Sequence, residues 1–310
     1  MTRRLGDHCG QVLAELGARE PRLRVLDGDL ADSDGAIHFA ERHPERFLMA
    51  GIAEQNMVSV AAGMAACGLR PWVFSFAAFL CYRAYDQVRV CLSQARQPVV
   101  LVGSHSGGQS GRNGKTHSAL NDLALMLSLP GLQVWSPGDL EDVELAVRTL
   151  VAQPAPAYLR LPRRPVRAGE SLPGTAAPLR WLRERRRYSI VSTGIASQWA
   201  LAAADRLAAN GIEVGVLHCL QLGTPALASQ LAGIEQLFVV EDHYSFGGLA
   251  TLVEQLGLAA PVTAFGWPGD WSGKSGGDEA LLDRYGLSGP ALATTIQAAV
   301  ERPLVAAARR

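Results

Sequence analysis

The stretch RFLMAGIAEQNM, residues 46–57, joins two structural patterns. Its apolar part, Phe47–Ala50, is typical of a buried strand, and a small-residue helical pattern then runs on to Cys67. A single carboxylate, Glu54, stands at this strand-to-helix junction among mostly apolar neighbours. Two interpretations stay open. Glu54 caps the first helical turn, where negative charge is favourable, or it is buried, shares a proton and serves in proton transfer.

Short apolar runs and helical patterns alternate on either side of this junction. Strands are expected at Leu23–Asp27, Phe47–Ala50, Trp72–Phe76, Val99–Val102, Gln133–Trp135 and Ala157–Leu161. Helices are expected at Gly6–Leu16, Glu54–Cys67, Ala77–Gln94, Ala119–Ser128 and Leu140–Val151. Most of the strands are continuous apolar runs, which indicates a sheet covered on both faces. The alternation predicts an α/β fold with a mostly parallel sheet.

The composition changes at Pro162–Pro178, which is rich in proline, glycine and arginine and reads as a linker. Strand and helix patterns then resume, so we predict two successive α/β domains, each a mostly parallel sheet flanked by helices. The expected division is a first domain at 1–163, a linker at 164–186 and a second domain at 187–310. Within the second domain, Gly266–Gly277 is expected to be an exposed loop.

Composition and charge exclude several classes of protein. The 310 residues are 48% hydrophobic, and 29 basic side chains balance 29 acidic ones, so nucleic acid is not an expected partner. The five cysteines have no C-x-x-C spacing, which favours buried thiols over a disulfide framework or a metal site. No apolar run reaches the roughly 18 residues of a membrane span, and Met1–Arg4 leads into no apolar core of a signal peptide. We therefore expect a cytoplasmic protein with no membrane partner.

Three segments are expected beyond the carboxyl ends of the strands, where open α/β sheets bind ligands. They are Asp27–Ser33, the turn at Glu54 and the glycine-rich loop Ser104–Ser118. His105 and His117 bracket the loop, and its glycines at 107, 108, 111 and 114 let backbone approach a ligand closely. The histidines are either ordinary hydrogen-bonded polar groups or functional ones, and their spacing does not suit a metal.

Phe76, Phe79 and Tyr82 form a second constellation. Their spacing of three places them on one face of the predicted helix. Ordinary core packing explains such a set. Because they follow the strand after Glu54, they are alternatively expected to line the same cavity.

Several long motifs, in this order, resemble the transketolase family. RFLMAGIAEQNM, FSFAAFLCYRAYDQVR and GSHSGGQSGRNGKTHSALND are similar to the pyrimidine-binding domain, and the likeness continues through VWSPGDLED to AYLRLPR. STGIAS and VVEDH are similar to the transketolase C-terminal domain. The resemblance implies a thiamine-diphosphate pyrimidine-binding fold followed by a Rossmann-like fold.

This resemblance implies thiamine diphosphate as the cofactor. Glu54 would hydrogen-bond N1′ of the aminopyrimidine and favour its imino tautomer. Phe76, Phe79 and Tyr82 match the positions that wrap the pyrimidine ring. Asp29 matches an acidic residue near the thiazolium.

The resemblance also implies a set of substrate contacts. His105 and His117 match histidines that bind sugar hydroxyls or phosphate and assist proton transfer. Arg3 and Ser33 match sugar-phosphate contacts, although Arg4 is adjacent to Arg3 and is an alternative. Another phosphate contact is an arginine at the end of the last strand of the first domain, where Arg163 aligns better than Arg160.

One departure from the family pattern concerns the diphosphate. Asp27-Gly28-Asp29 is not the family's G-D-G motif, and nothing in this chain replaces that domain. The chain therefore resembles the C-terminal subunit of a split transketolase, with the active site between chains. A partner N-terminal subunit would hold the diphosphate and most contacts to Mg²⁺ or Ca²⁺. An α2β2 heterotetramer is expected, with no metal site in this chain.

The other departure lies in the substrate loop, where Asn113 replaces the family's usual aspartate and Lys115 its usual proline. We expect transfer of a two-carbon ketol unit from a ketose or ketose phosphate to an aldehyde, with altered substrate preference. Two alternatives stay open. One is a subunit of a 2-oxoacid-using enzyme, similar to deoxyxylulose-phosphate synthase or the pyruvate dehydrogenase beta chain. The other is a non-catalytic paralogue.

Overall fold

A computed structural model describes residues 2–109, 113–167, 170–275 and 278–301. Across these residues the strands form a seven-stranded sheet, a five-stranded sheet and a two-stranded ribbon, with helices against the two larger sheets. Strand pairs in both larger sheets are mostly parallel, which confirms the predicted fold class.

The strands have the following bounds: β1 Thr2–Arg3, β2 Leu23–Asp27, β3 Phe47–Met49, β4 Arg70–Phe76, β5 Val100–Ser106, β6 Gln133–Trp135, β7 Ala157–Pro162, β8 Val166–Arg167, β9 Leu179–Arg183, β10 Tyr188–Ser192, β11 Gly215–Cys219, β12 Gln221–Leu222, β13 Gln236–Tyr244 and β14 Val262–Trp267. The helices are α1 Leu5–Gly17, α2 Ala31–Asp34, α3 Ile37–Arg42, α4 Glu54–Ala66, α5 Tyr85–Gln87, α6 Asp122–Leu127, α7 Leu140–Ala152, α8 Ala196–Ala209, α9 Leu227–Leu231, α10 Leu249–Gln255, α11 Asp278–Arg284 and α12 Gly289–Glu301.

The larger sheet has the order β12-β6-β7-β5-β4-β2-β3. Strands β3, β2, β4, β5, β7 and β6 run parallel, so their carboxyl ends lie at one edge. Helices cover both faces through two apolar clusters, one packed around Val73 and Leu101 and the other around Phe74 and Val102. This arrangement explains why the strands are continuous apolar runs.

The smaller sheet has the order β14-β13-β10-β11-β9, with β9 antiparallel to β11. Strands β8 and β9 both lie within residues 164–186, so the segment expected to be a linker is partly ordered as sheet. Strand β9 alternates buried and half-buried side chains, as an edge strand does. The prolines at 173 and 178 precede β9 rather than interrupting it.

The expected helix Ala77–Gln94 is not one continuous α-helix. Phe79–Arg83 and Val88–Gln94 are π-helical, with α5 between them. The Ala84 amide donates to the Phe79 carbonyl at 3.2 Å, a five-residue step. Wide turns of this kind insert an extra residue and change the direction of the side chains, and they often occur at functional sites.

The composition of Gly266–Gly277 predicts an exposed loop, but part of this segment is buried in the structure. Strand β14 extends to Trp267, which is fully buried, and Trp271 is also buried. The two rings stack with centroids 4.2 Å apart in the core of the smaller sheet. The burial of two large aromatic surfaces outweighs the loop-forming tendency of the surrounding glycines and serines.

Within the described ranges, no helix combines the length and apolar character needed to cross a bilayer.

Candidate functional site

The candidate site lies at the carboxyl edge of the larger sheet. Asp27 ends β2 opposite Phe74 of β4, and Phe76 ends β4 opposite Ser104 of β5. Glu54 begins α4, five residues after the end of the neighbouring strand β3. The parallel topology thus brings together the three segments that the sequence analysis singled out.

Glu54 is fully buried. The sequence suggested almost wholly apolar surroundings, but the structure gives its carboxylate two polar partners. The Ser75 hydroxyl donates to Oε1 at 3.0 Å, and Arg83 Nη1 donates to Oε2 at 2.6 Å. The Arg83 guanidinium lies 4.5 Å from the centroid of the Phe79 ring. Arg83 is thus a cationic partner that the sequence analysis did not predict, and the two bonds hold the carboxylate toward β4 and the π-helix.

Sequence reasoning did not identify Ser75 and Arg83 as partners of Glu54. Two signals were present: Ser75 interrupts the apolar run of β4, and Arg83 follows Phe79 by four residues. The pairing itself depends on the π-helical turn and on the juxtaposition of α4 with β4, which single-sequence patterns do not encode.

Aromatic rings and the two histidines form a contiguous cluster beside Glu54. Phe76 stacks on His105 with centroids 4.0 Å apart and on Phe79 at 5.7 Å. His117 approaches both phenylalanines edge-on, at 5.7 and 5.2 Å. The structure therefore joins the glycine-rich loop to the aromatic set.

Tyr82 departs from the predicted single helical face. Phe76 ends a strand rather than lying on a helix, and the π-helical turn places Tyr82 differently from Phe79. The Tyr82 side chain is exposed. Its hydroxyl donates to Asn121 Oδ1 at 2.5 Å and accepts from the Leu120 amide at 3.2 Å. Tyr82 thus contacts the segment that follows the glycine-rich loop.

His105 is buried at the end of β5 in a left-handed backbone conformation, with φ of 56°. Burial lowers the pKa of His105 to about 4, and the nearby charges of Arg163, Arg4 and His117 act in the same direction. The ring is therefore neutral at neutral pH. Its Nδ1 lies 3.2 Å from the Ser104 hydroxyl.

Arg4 lies closer to the site than Arg3. Antiparallel pairing of β1 with β8 holds the N-terminal residues beside the segment that follows β7. Arg4 donates to the backbone carbonyls of Asp32 and Ser33, both at 3.0 Å, and its charge acts on His105. The Arg3 guanidinium instead hydrogen-bonds Gln11. Arg4 also forms a two-point ion pair with Asp7, at 2.8 and 2.7 Å. Its charge at His105, and not a free guanidinium, is therefore what favours Arg4, the adjacent alternative, over Arg3 as the anion contact.

Arg163 and Arg160 occupy different environments. Arg163 is exposed just beyond β7, and its charge acts on His105. Arg160 is buried, with Nε 2.7 Å from Asp122 Oδ2 and Nη2 2.6 Å from the Asp242 carbonyl. Arg160 is thus committed to an internal ion pair, which leaves Arg163 as the candidate for a ligand contact.

The segment after β2 is shaped by two buried carboxyl groups. Asp27 Oδ1 accepts from the Leu30 amide at 2.7 Å, and Asp34 Oδ1 accepts from the Ala36 amide at 3.1 Å. Burial and the neighbouring Asp27 raise the pKa of Asp34 to about 9, as expected for carboxyls that share a proton. Asp29, on the same segment, is exposed with a φ of 69°.

The glycine-rich loop is closed at its neck by two backbone bonds between Gly107 and Ala119, of 3.0 and 3.2 Å. Asn113 and Lys115 are exposed beyond this neck. Gly111, one of the glycines noted in the sequence, lies outside the described residues. No group of three or more potential metal ligands occurs in the part of the chain that the structure describes.

Comparison with family models identifies both parts of the chain. A model described as transketolase, pyrimidine binding domain, matches residues 3–168. A model described as transketolase, C-terminal domain, matches residues 178–292.

Curated relatives include both separate subunits and longer chains. A putative transketolase C-terminal section from Methanocaldococcus jannaschii is 32% identical over 93% of this chain and 93% of the relative. A 6-deoxy-6-sulfo-D-fructose transketolase subunit from a Clostridium strain is 32% identical over 96% of this chain and 95% of the relative. Human transketolase is 31% identical over 94% of this chain but only 48% of its own length.

Solved structures share the fold. One described as a split gene transketolase, inactive beta4 tetramer, has a TM-score of 0.85 at 32% identity and covers 97% of this chain and 99% of that one. Transketolase from Campylobacter jejuni has a TM-score of 0.81 at 18% identity, over 47% of its length. The second likeness shows the fold alone.

Proposed function

The chain belongs to the transketolase family, and we propose that it is the subunit of a split transketolase that supplies Glu54 and the substrate loop. The observation that carries the proposal is the convergence at one sheet edge of a buried carboxylate, stacked aromatic rings and two histidines. Glu54 and these aromatic contacts speak against a non-catalytic paralogue, because partner binding alone requires neither.

A separate partner subunit is part of the proposal. The chain matches nearly the whole length of relatives named as a section or a subunit, and about half of human transketolase. The G-D-G motif of the family has no counterpart here. We propose that another chain carries it, holds the diphosphate and most metal contacts, and assembles with this one as α2β2. The related structure described as an inactive beta4 tetramer supports the need for a partner.

The residues present fit an aminopyrimidine ring. Each Glu54 oxygen accepts one hydrogen bond from the protein, and a carboxylate has about four acceptor positions. Glu54 thus keeps acceptor capacity for a ring nitrogen, beside the half-buried Phe79 ring. Thiamine diphosphate, when bound, supplies the nucleophile and electron sink for cleaving a carbon–carbon bond next to a carbonyl.

The side chains of this subunit then bind, orient and move protons. Glu54 would accept a hydrogen bond from a nitrogen of the aminopyrimidine and share its proton, and the stacked Phe76 and Phe79 rings would keep water away from this contact. His105 is neutral at neutral pH and can accept a hydrogen bond from a sugar hydroxyl. Its Nδ1 lies near Ser104, so Nε2 is the nitrogen proposed to meet substrate. His117 contacts the same rings and is proposed to bind a second sugar hydroxyl.

The proposed donor is a ketose that carries an anionic group at the end remote from its carbonyl. Positive charge from Arg4 and Arg163 reaches His105 at this edge, and Ser33 lies on the segment bound by Arg4. Guanidinium groups suit phosphate and similar anions. Altered preference is proposed because Asn113 is an amide where the family usually has a carboxylate. The relative named for a sulfo-sugar supports a departure from the usual substrates.

The proposal is tested with the chain purified together with its partner. Thiamine diphosphate binding is measured by calorimetry, and ketose phosphates and sulfonates are then offered with an aldehyde acceptor. We expect binding with the partner present and an aldose two carbons shorter than the donor, without carbon dioxide. Carbon dioxide from pyruvate would favour the 2-oxoacid alternative. Assembly without cofactor binding would favour the non-catalytic paralogue.

A further inference from the structure

The glycine-rich loop is held from outside its own sheet. Asp242, near the end of β13 in the second domain, accepts at Oδ1 from the Gly108 amide at 3.0 Å and from Trp267 Nε1 at 2.7 Å. All three groups are buried. The carboxylate thus links the loop neck directly to the indole of β14.

The backbone of the neck leaves no room for side chains at this contact. A Cβ on Gly107 would lie 1.9 Å from Asp242 Oδ2, and a Cβ on Gly108 would lie 2.4 Å from the Trp267 ring. The backbone at positions 107 and 108 lies directly on the Asp242 and Trp267 side chains. Both positions therefore require glycine.

Neighbouring residues of β13 continue the same attachment. The Tyr244 amide donates to the Leu120 carbonyl at 2.9 Å, and His243 Nε2 accepts from the Ala124 amide at 3.3 Å. The Asp242 carbonyl accepts from Arg160. Strand β13 thereby fixes both sides of the neck that Gly107 and Ala119 close.

The neck lies close to both histidines along the chain. His105 lies two residues before Gly107, and His117 lies two residues before Ala119. Both rings contact Phe76. A shift of the neck would move the two rings together relative to Glu54, and displacements of about 1 Å at a reacting centre cost up to roughly a hundredfold in rate.

We propose that Asp242 of the second domain is a positioning residue for ketol transfer, holding the neck of the glycine-rich loop so that His105 and His117 face the substrate. The expected effect of Asp242 on kcat rests on the proposed function of the chain in ketol transfer. The second domain thus contributes to the active site through the Asp242 carboxylate and the Trp267 indole, neither of which is proposed to touch the substrate.

The test compares Asp242→Ala with Asp242→Asn in the chain assembled with its partner. The amide of Asn retains an acceptor oxygen for Gly108 and Trp267, whereas Ala removes it. We expect Asp242→Ala to lower kcat at least tenfold with a smaller change in KM, and Asp242→Asn to stay within about threefold of wild type. Glu241→Gln is the matched control, because Glu241 is also buried on β13 but accepts from Leu249 and Ala250 within its own domain.

A second readout needs no catalytic activity. The NMR titration of the His105 ring is followed in each variant, since its pKa of about 4 depends on burial at this position. In Asp242→Ala we expect the pKa of His105 to rise toward its ordinary value, and in Glu241→Gln to stay near 4. If Asp242→Ala does not fold, Trp267→Phe takes its place, because it keeps a ring under Gly108 but removes the indole N–H. In this variant we expect the pKa of His105 to rise by a smaller amount.

The two readouts separate the proposals. An unchanged His105 titration and unchanged kcat in folded Asp242→Ala would overturn the positioning role. If the wild-type assembly shows no ketol transfer but Asp242→Ala still shifts the His105 titration, the proposed function fails while the attachment of the loop stands.

Discussion

His105 illustrates how burial determines the chemistry of a single side chain. Its ring stacks on Phe76 and lies among the charges of Arg163, Arg4 and His117, so its protonated form is disfavoured. Between pH 6.5 and about 4 the unfolded chain binds a proton at this position that the folded chain does not. Its contribution to the free energy of unfolding therefore falls as the pH is lowered through that window.

Arg163→Met is predicted to raise the pKa of His105, because a nearby positive charge is removed while the ring stays buried. A rise of up to about one unit is expected from the loss of one charge. Titration of the His105 ring by NMR measures it. Arg284→Met, in α11 of the second domain, is the control and should leave the titration unchanged. An equal shift in both variants would show that the Arg163 charge does not act specifically on His105.

Arg4 and Arg3 make a second pair of residues that the structure distinguishes. Arg4→Ala is predicted to raise KM for an anionic donor by roughly tenfold or more, since charged hydrogen bonds are worth about 1.5–3 kcal/mol. Arg3→Ala, whose partner is Gln11, should stay within about threefold. Steady-state kinetics of the assembled enzyme decides between them, with melting temperatures to confirm that both variants fold. The opposite ranking would restore the assignment made from sequence alone.

Individual strands were predictable where the sequence is punctuated clearly. Leu23–Asp27 and Gln133–Trp135 have the predicted bounds, because each is a short apolar run between turn-forming residues. The π-helical segments were missed, because their width depends on which carbonyl each amide reaches. Strand β9 was missed because it includes arginines. One of them, Arg180, is buried, and its charge is paired with Asp142, which is distant in sequence.

Two helical glycines test the packing of α1 and α4. A Cβ on Gly10 of α1 would lie 2.0 Å from the Gly35 carbonyl oxygen, whereas a Cβ on Gly63 of α4 would point into open space. Gly10→Ala is predicted to lower the free energy of unfolding by about 1–3 kcal/mol through overpacking. Gly63→Ala should raise it by up to about 1 kcal/mol through helix propensity. Urea unfolding of the two variants measures both, and destabilisation of similar size would contradict the packing described for α4.

The two domains are joined by a buried polar network. Asp142 of α7 accepts from Arg180 Nη1 at 2.6 Å and from the Gly138 amide at 3.0 Å, and lies 2.9 Å from His218 Nε2. Burial alone would raise the pKa of Asp142, but His218 and Arg180 lower it overall. The ionised carboxylate therefore stabilises the contact between the larger sheet's helix and the smaller sheet.

Asp142→Ala is predicted to lower the free energy of unfolding by about 3–5 kcal/mol, because it leaves the buried Arg180 without this partner. Glu141→Ala is the matched control, since Glu141 is the exposed neighbour on the same helix, and its effect should stay within about 0.5 kcal/mol. Equilibrium denaturation measures both. A cost below about 1 kcal/mol for Asp142→Ala would show that the network does not stabilise the domain contact.

The fold class and the meeting of three segments at one edge followed from sequence, because apolar runs and parallel topology determine both. The partners of Glu54, the choice of Arg4 over Arg3 and the attachment of the loop to Asp242 did not. Each depends on side chains distant in sequence, such as Gly108 and Asp242, whose contact is set by how the two domains pack. The division into domains at 163 and the catalytic roles of Glu54, His105 and His117 stay predictions.

Ketol transfer by the purified chain, alone and with its partner, addresses the proposed division of the active site. With thiamine diphosphate and magnesium present, we predict no turnover by the chain alone, turnover by the mixture, and loss of most turnover when the mixture contains Glu54→Gln. Glu45→Gln, at an exposed glutamate before β3, is the control and should leave turnover unchanged. Turnover by the chain alone, or near-normal turnover by the Glu54→Gln mixture, would contradict the account.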